Sequence, residues 1–273
     1  MIILATDLDR TLLPNGTESY DGTLPELFRL VRKYEMMLIY VSGRNLSMLK
    51  DAQKEFGIEL PDYFIGEVGT MVYKRFEGEL TVHPEWESYL RQSAPEWDKE
   101  KIEQLLLKEI PSLVLQEDEK QNKFKLSFYI HDTLHAEEYV EKVHSCVSKF
   151  EGVEVVYSTD PLMKDIGLLD ILPKSATKLS ALEFVREFVG AEKQDIIYAG
   201  DSGNDILPLT GGYRGILVRN ASRDTLTTVN KHHADNKTDA LIYQAVGDEV
   251  HNGNYSSGII EGLVHFKVVE DEH

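Results

Sequence analysis

Asp7 and Asp9 stand two residues apart at the end of an apolar run, Ile2-Ile3-Leu4-Ala5, and Thr11 follows. Side chains alternate along a strand, so acids at i and i+2 share a face, and where the chain turns at a strand's carboxyl end both can enter one crevice. Two carboxylates converging on a small volume repel unless a cation or a shared proton lies between them. Two more apolar runs end in polar groups: Met36–Val41 in Ser42-Gly43-Arg44, and Asp195–Ala199 in Gly200-Asp201-Ser202-Gly203-Asn204-Asp205. Lys178 lies in the first turn of the helical pattern before the last of these runs. Carboxylates and carbonyls on one sheet edge suit Mg²⁺, a hard cation that takes oxygen ligands. Ser42 and Lys178 supply a hydroxyl and a point charge for a phosphoryl group. An aspartate that attacks phosphorus forms an aspartyl-phosphate, which splits one hard displacement into two easier ones. Singly, each motif also reads as a turn of solvated polar residues; their joint order argues for the site.

Bringing these groups together requires a parallel sheet, whose strands all end on one edge. The spacing predicts one. Thr23 and Glu26 form a capping-box pattern ahead of a helical face of Leu27, Leu30, Val31 and Tyr34. A second helix is predicted through Leu46, Leu49 and Phe56, then strands over Tyr63–Val68 and Met71–Tyr73 around Gly69. From residue 77 the texture changes. A helix with Ile102, Leu105 and Leu106 precedes a short strand at Leu113–Leu115. Phe124–Ile130 alternates with Lys125, Ser127 and Tyr129, as in a strand with one solvated face. A helical stripe of Val140, Val143, Val147 and Phe150 leads to strands at Val153–Tyr157 and Leu168–Leu172. After Pro173 the α/β alternation resumes: a helix capped by Ser175, strands at Asp195–Ala199 and Gly215–Val218, and a last helix over Ser256–Phe266. The expected fold is α/β: a Rossmann-like parallel sheet core, 1–78 and 173–273, with an inserted α+β cap at 79–172.

The chain of 273 residues carries a formal net charge of −18, which argues against nucleic acid as a partner. A single cysteine, Cys146, allows no intrachain disulfide, and no apolar stretch approaches membrane-spanning length. With no basic region at its start, it is read as cytoplasmic, without a signal peptide, away from membranes, and a monomer or small homo-oligomer. His232, His233, His251 and His265 match no zinc-ligand spacing and read as ordinary surface or core residues. Trp86 and Trp97 read as packing within the inserted unit, with stacking on a sugar as the alternative.

The stretch Asp7-Leu8-Asp9-Arg10-Thr11, Ser42-Gly43-Arg44, Lys178 and Gly200–Asp205 resemble the four motifs of the haloacid dehalogenase-like (HAD) phosphatases, with the cap placed as in subclass IIB. The resemblance is strongest to the sucrose-phosphate phosphatase branch. It rests on Pro61-Asp62-Tyr63-Phe64-Ile65, Val68-Gly69-Thr70-Met71-Val72-Tyr73, Asp170-Ile171-Leu172-Pro173-Lys174 and Ser257-Gly258-Ile259-Ile260-Glu261-Gly262-Leu263. It implies a Mg²⁺-dependent sugar phosphatase with Asp7 as nucleophile and Asp9 as acid and then base. Metal ligands would be Asp7, the Asp9 carbonyl and Asp201, with Asp205 acting through water or as a brace. Ser42 and Lys178 would hold the phosphoryl oxygens of a small-molecule sugar phosphate, Gly43, Arg44 and Asn204 would bind or orient the substrate beside them, and Gln121 and Lys125 of the cap would bind its sugar. For Arg44, at a helix start, a surface place or an ion pair stands beside the substrate reading. Arg10 departs from the Asn or Gly common in the family. For Lys125 a place on a solvated strand face stands beside the sugar-binding reading. Other sugar or glycosyl-glycerate phosphate phosphatases, a phosphomutase of the same superfamily, and a non-catalytic sugar or phosphate-binding module remain as alternatives.

Overall fold

The computed structural model describes residues 1–159 and 166–270. The chain divides into two compact units, Met1–His83 with Lys178–His273, and Pro84–Thr177. The first begins with β1 (Ile3–Thr6), all four residues of which are buried. It continues through α1 (Leu24–Lys33), β2 (Met37–Val41), α2 (Leu46–Phe56), β3 (Tyr63–Gly66), β4 (Met71–Phe76) and β5 (Glu79–Val82). The second unit holds α3 (Pro84–Ser93), α4 (Lys99–Glu109), β6 (Val114–Leu115), β7 (Leu126–Ile130), α5 (Ala136–Val147), β8 (Val153–Thr159) and β9 (Gly167–Pro173). The chain then returns through α6 (Lys178–Val189), β10 (Ile196–Gly200), α7 (Ile206–Leu209), β11 (Arg214–Leu217), α8 (Arg223–Asn236), β12 (Ile242–Gln244) and α9 (Ser256–His265).

The first unit's sheet runs β12-β11-β10-β1-β2-β3-β4-β5. From β12 to β3 every pairing is parallel, and β4 and β5 add an antiparallel edge. The strand order reverses about β1: β2 follows it on one side, and β10, reached only after the second unit, lies on the other. Such a switch point opens a crevice at the strands' carboxyl ends. Helices bury Leu27, Leu30, Val31, Leu49, Ile259, Ile260 and Leu263 against Leu4, Leu38, Tyr40, Ile197 and Ile216 of the sheet. Because β5 pairs with β4 along Phe76–Val82, the sheet continues past residue 78, where sequence patterning placed the core's end. No helix among the described residues is long and apolar enough to cross a membrane.

The second unit is an antiparallel sheet, β6-β7-β9-β8, whose core joins Leu126, Phe128 and Ile130 to Ile102, Leu106, Val143, Val147, Leu169 and Ile171. The other face of β7 is solvated only at Tyr129, less than its alternating pattern predicts. Ser127 is fully buried, its Oγ donating to Lys120 O (3.3 Å) of the loop before β7, and Lys125 is only 9% exposed. Gln121 ties that loop to the strand's backbone: its Nε2 donates to Gln116 O (3.1 Å) and Ser127 O (2.9 Å), and its Oε1 accepts from Ser127 N (2.9 Å). Trp86 is buried and Trp97 packs against the unit's core, its Nε1 donating to Lys123 O.

Two helix starts differ in detail from the sequence reading. α1 begins after Thr23 without a capping box, since Thr23 Oγ1 meets Asp21 Oδ1 (3.0 Å) and Ser256 Oγ (2.8 Å) instead. α6 begins at Lys178, and the Ser175 hydroxyl pairs with Ser93 rather than capping it.

Candidate active site

Asp7 directly follows β1, its N–H donating to Ala199 O of β10 at 2.9 Å, and Asp201 directly follows β10. Parallel pairing therefore puts these acids side by side at the switch point. Asp205 joins them from the turn Gly203–Asp205, and ligand oxygens of Asp7, Asp201 and Asp205 lie within 4.8 Å of one another, all three residues buried.

Lys178, buried at the first position of α6, points into this group. Its Nζ donates to Asp7 Oδ1 (2.8 Å), Asp205 Oδ1 (2.8 Å) and Asn204 Oδ1 (2.9 Å), which uses all three ammonium protons. Burial alone would push Lys178 down, but the charges of Asp205 and Asp7 outweigh it and hold the ammonium well above its ordinary value. Burial drives the Asp7 carboxyl up, against the pull of Lys178 and with the repulsion of Asp205 and Asp201 added. Asp201 is pushed up to about 6 by burial and by Asp205, with Arg10 and Thr11 opposing. Three buried carboxylates face one buried ammonium and the half-exposed side chain of Arg10, so acid outnumbers base in the group, and every donor is a hard oxygen. Those two facts make the group fit Mg²⁺.

Asp205 is the most heavily bonded of the three. Besides Lys178, its Oδ1 accepts from Tyr198 OH (2.6 Å), and its Oδ2 from Asp201 N (3.1 Å), Ser202 N (3.1 Å) and Ser202 Oγ (3.2 Å). These contacts fold the loop after β10 back on itself and fix Asp201. Gly200 makes this approach feasible, because a Cβ there would sit 2.6 Å from the Asp205 Cβ.

Asp9 stands apart from the trio. Its carboxylate is forked by Arg44, whose Nε donates to Oδ1 (3.1 Å) and Oδ2 (2.9 Å) and whose terminal nitrogen donates to Oδ1 (2.7 Å). Asn15 Nδ2 adds a donor to Oδ1 at 2.6 Å. The pairing with Asp9 raises the Arg44 guanidinium above its ordinary value. Arg44 is thus committed to Asp9 and, through its other terminal nitrogen, to Met48 O (3.2 Å). Ser42 is fully buried after β2, its N–H donating to Ile65 O (2.8 Å), while Gly43 is exposed.

The turn after β3 braces this segment. Glu67 N–H donates to Arg44 O and Val68 N–H to Ser42 O, both at 3.0 Å, with φ of 51° at Glu67 and 61° at Val68. A β-branched residue at positive φ is a backbone outlier, and here the strain falls where the chain meets Ser42 and Arg44. The structure brings together Asp7, Lys178, Asp201, Asn204 and Asp205, and pairs Asp9 with Arg44. Gln121 belongs to the second unit, its amide spent on that unit's own backbone, and Lys125 is buried there. Sequence reading missed Tyr198, Thr11, Asn15 and Asn220. Thr11 stands in the first motif without an assigned role, whereas Tyr198 reads only as one more apolar residue of a buried strand.

The sequence model for sucrose-6F-phosphate phosphohydrolase matches residues 1–267. A protein of Nitrosococcus oceani described as a HAD-like hydrolase is 38% identical over 271 residues, 97% of this chain and 71% of that protein. The mannosylfructose-phosphate phosphatase of Agrobacterium fabrum is 28% identical over 270 residues, 97% of this chain and 96% of the relative. Among solved structures, the sucrose-phosphatase of Synechocystis in complex with sucrose and phosphate is similar with a TM-score of 0.72 and 25% identity, over 97% of this chain and 98% of that one.

Proposed function

The chain belongs to the sucrose-6F-phosphate phosphohydrolase family and is a HAD-type sugar phosphatase, a phosphoric monoester hydrolase; we propose that its substrate is a disaccharide phosphate, sucrose 6-phosphate first. The observation that carries the reaction is the buried pairing of Asp7 with Lys178 beside Asp201 and Asp205 at the sheet's switch point. Asp7 Oδ attacks phosphorus, and the bond from phosphorus to the sugar oxygen breaks as Asp9 gives that oxygen a proton. Asp9 then takes a proton from the water that attacks the aspartyl-phosphate, which releases phosphate and restores Asp7. Lys178 and the Ser42 hydroxyl hold phosphoryl oxygens, Lys178 trading one of its present acceptors for the substrate. Gly43 borders the phosphoryl position, and Asn204 keeps Lys178 aimed. Asp205, with its oxygens already bonded, serves as a brace. Mg²⁺ would be held by Asp7, the Asp9 carbonyl and Asp201, and when bound it neutralises charge on the phosphoryl oxygens.

In this reading Arg44 serves Asp9 rather than the substrate, which its bonds to both Asp9 oxygens support, Gln121 braces the second unit's loop, and Lys125 contacts the sugar. Mannosylfructose phosphate is the second substrate reading, favoured by the relative from Agrobacterium fabrum, which is matched over nearly its whole length. The proposed setting is the cytoplasm, where a chain with one cysteine is at home. Phosphate release is measured from sucrose 6-phosphate, mannosylfructose phosphate, trehalose 6-phosphate, mannosyl-3-phosphoglycerate and simple hexose phosphates, with and without Mg²⁺, beside Asp7→Asn. The expected result is a Mg²⁺-dependent preference for one disaccharide phosphate that the substitution abolishes. Full activity in Asp7→Asn would sink the mechanism, and equal weak turnover of all esters would sink the substrate.

A further inference from the structure

Arg10 follows the second aspartate with its backbone in the left-handed region, φ 60°, a conformation a non-glycine residue keeps only where its neighbours impose it. They do so here. The Arg10 N–H donates to Asn15 Oδ1 at 2.8 Å, and its carbonyl accepts from Asn220 Nδ2 at 2.6 Å. Asn220 is itself pinned by the Tyr255 N–H, 3.0 Å from its Oδ1. Held this way, the Arg10 side chain turns back toward the acidic trio. Its Nε lies 3.4 Å from Asp201 Oδ2, and one terminal nitrogen donates to Asn220 O (3.2 Å) and stands 3.6 Å from Glu18 Oε1.

Asp201 is aimed by another residue, Thr11, whose Oγ1 donates to Oδ1 at 3.1 Å. Arg10 therefore contributes charge at Asp201 rather than direction. Lys178 answers the charges of Asp7 and Asp205, and Arg10 that of Asp201, so each acid of the trio already faces a cation of the protein.

We propose that Arg10 is a built-in rival to the divalent cation: it occupies the charge of Asp201, steadies the cation-free trio, and weakens cation binding. The inference rests on the Mg²⁺ reading above. Two outcomes of opposite sign are physically open to a charged neighbour of a ligand. A residue that orients a ligand raises metal affinity, so that its loss weakens binding. A residue that only places positive charge beside the ligand repels the incoming cation, so that its loss tightens binding. Because orientation falls to Thr11, the second sign is the expected one. The Arg10 side chain is 46% exposed, and solvent screening keeps the effect moderate.

The test is calorimetric titration of Mg²⁺ into the full chain, comparing the unsubstituted protein with Arg10→Asn, Arg10→Lys and Asp201→Asn. Asparagine tolerates the left-handed backbone, so Arg10→Asn removes the charge while keeping the fold. Arg10→Asn should bind Mg²⁺ on the order of tenfold more tightly, with Arg10→Lys close to the unsubstituted protein and Asp201→Asn losing the binding heat. In cation-free buffer Arg10→Asn should melt earlier, and saturating Mg²⁺ should close that gap. Unchanged or weaker binding by Arg10→Asn, with a native circular dichroism spectrum, overturns the rivalry alone. Equal heats from the unsubstituted protein and Asp201→Asn would mean that no cation binds at the trio, and the Mg²⁺ reading falls together with the inference.

Discussion

Lys178 has side-chain exposure of 1% and faces the buried carboxylates of Asp7 (6%) and Asp205 (0%). Removing one partner of a buried ion pair leaves an uncompensated charge, which costs about 3–5 kcal/mol. Lys178→Ala should therefore lower stability by that amount in urea titrations without Mg²⁺, and should also abolish phosphatase activity. Arg44 makes a different prediction. Its guanidinium holds both oxygens of Asp9, so on the proposed mechanism Arg44 would act through Asp9 as a positioning residue. Arg44→Ala should reduce kcat on the order of tenfold to hundredfold while KM changes little. In an Asp9→Asn background the same substitution should cost nothing further, because coupled residues are not additive. A rise in KM that persists in the double variant would return Arg44 to the substrate. Both residues were legible in the sequence as members of motifs. The pairing of Arg44 with Asp9 was not, because a guanidinium beside a helix start does not announce which carboxylate will reach it in space.

At the scale of elements, the motif Ser257–Leu263 explains itself by contact rather than chemistry. Glu261 accepts from Val246 N (2.9 Å) and Gly247 N (3.0 Å), and also from Tyr243 OH (2.5 Å), tying α9 to the loop after β12. Gly262 lets α9 lie on the sheet: a Cβ there would sit 2.4 Å from Ile216 Cδ1 and 2.5 Å from its Cγ1. Gly262→Ala should accordingly destabilise the protein, since overpacking costs about 1–3 kcal/mol against a gain in helix propensity of about 1 kcal/mol. Ile216→Ala should relieve much of that penalty when the two are combined, as read from thermal melts. Gly203→Ala, which meets nothing within 4 Å, should stay within about 0.5 kcal/mol of the parent. The inner strands could be read from sequence because a parallel strand covered on both faces is a plain apolar run. α8 escaped that reading because its length is mostly polar, with Thr225, Val229 and His233 as its buried residues. β5 and β12 escaped it as short sheet edges without an apolar face.

The two units each close their own apolar core, one around the parallel sheet and one around the antiparallel sheet. Every side chain assigned to the phosphoryl chemistry lies within residues 1–83 and 178–273. A division of this kind separates two tasks that place opposite demands on sequence: transfer needs one fixed set of groups, and sugar choice needs groups that can vary. Replacing 84–177 with the matching segment of the Agrobacterium fabrum mannosylfructose-phosphate phosphatase should therefore move sugar preference toward that of the donor. With misfits rejected by unmet hydrogen bonds, the shift in kcat/KM between the two disaccharide phosphates should reach about a hundredfold. Hydrolysis of p-nitrophenyl phosphate, which presents no sugar, should change by less than about tenfold, since the attacking and acid groups stay in their own unit. A chimera that keeps the parent's sugar preference with undiminished turnover would assign specificity to the first unit. Arg10, the large side chain beside Asp9, would then be the first place to look.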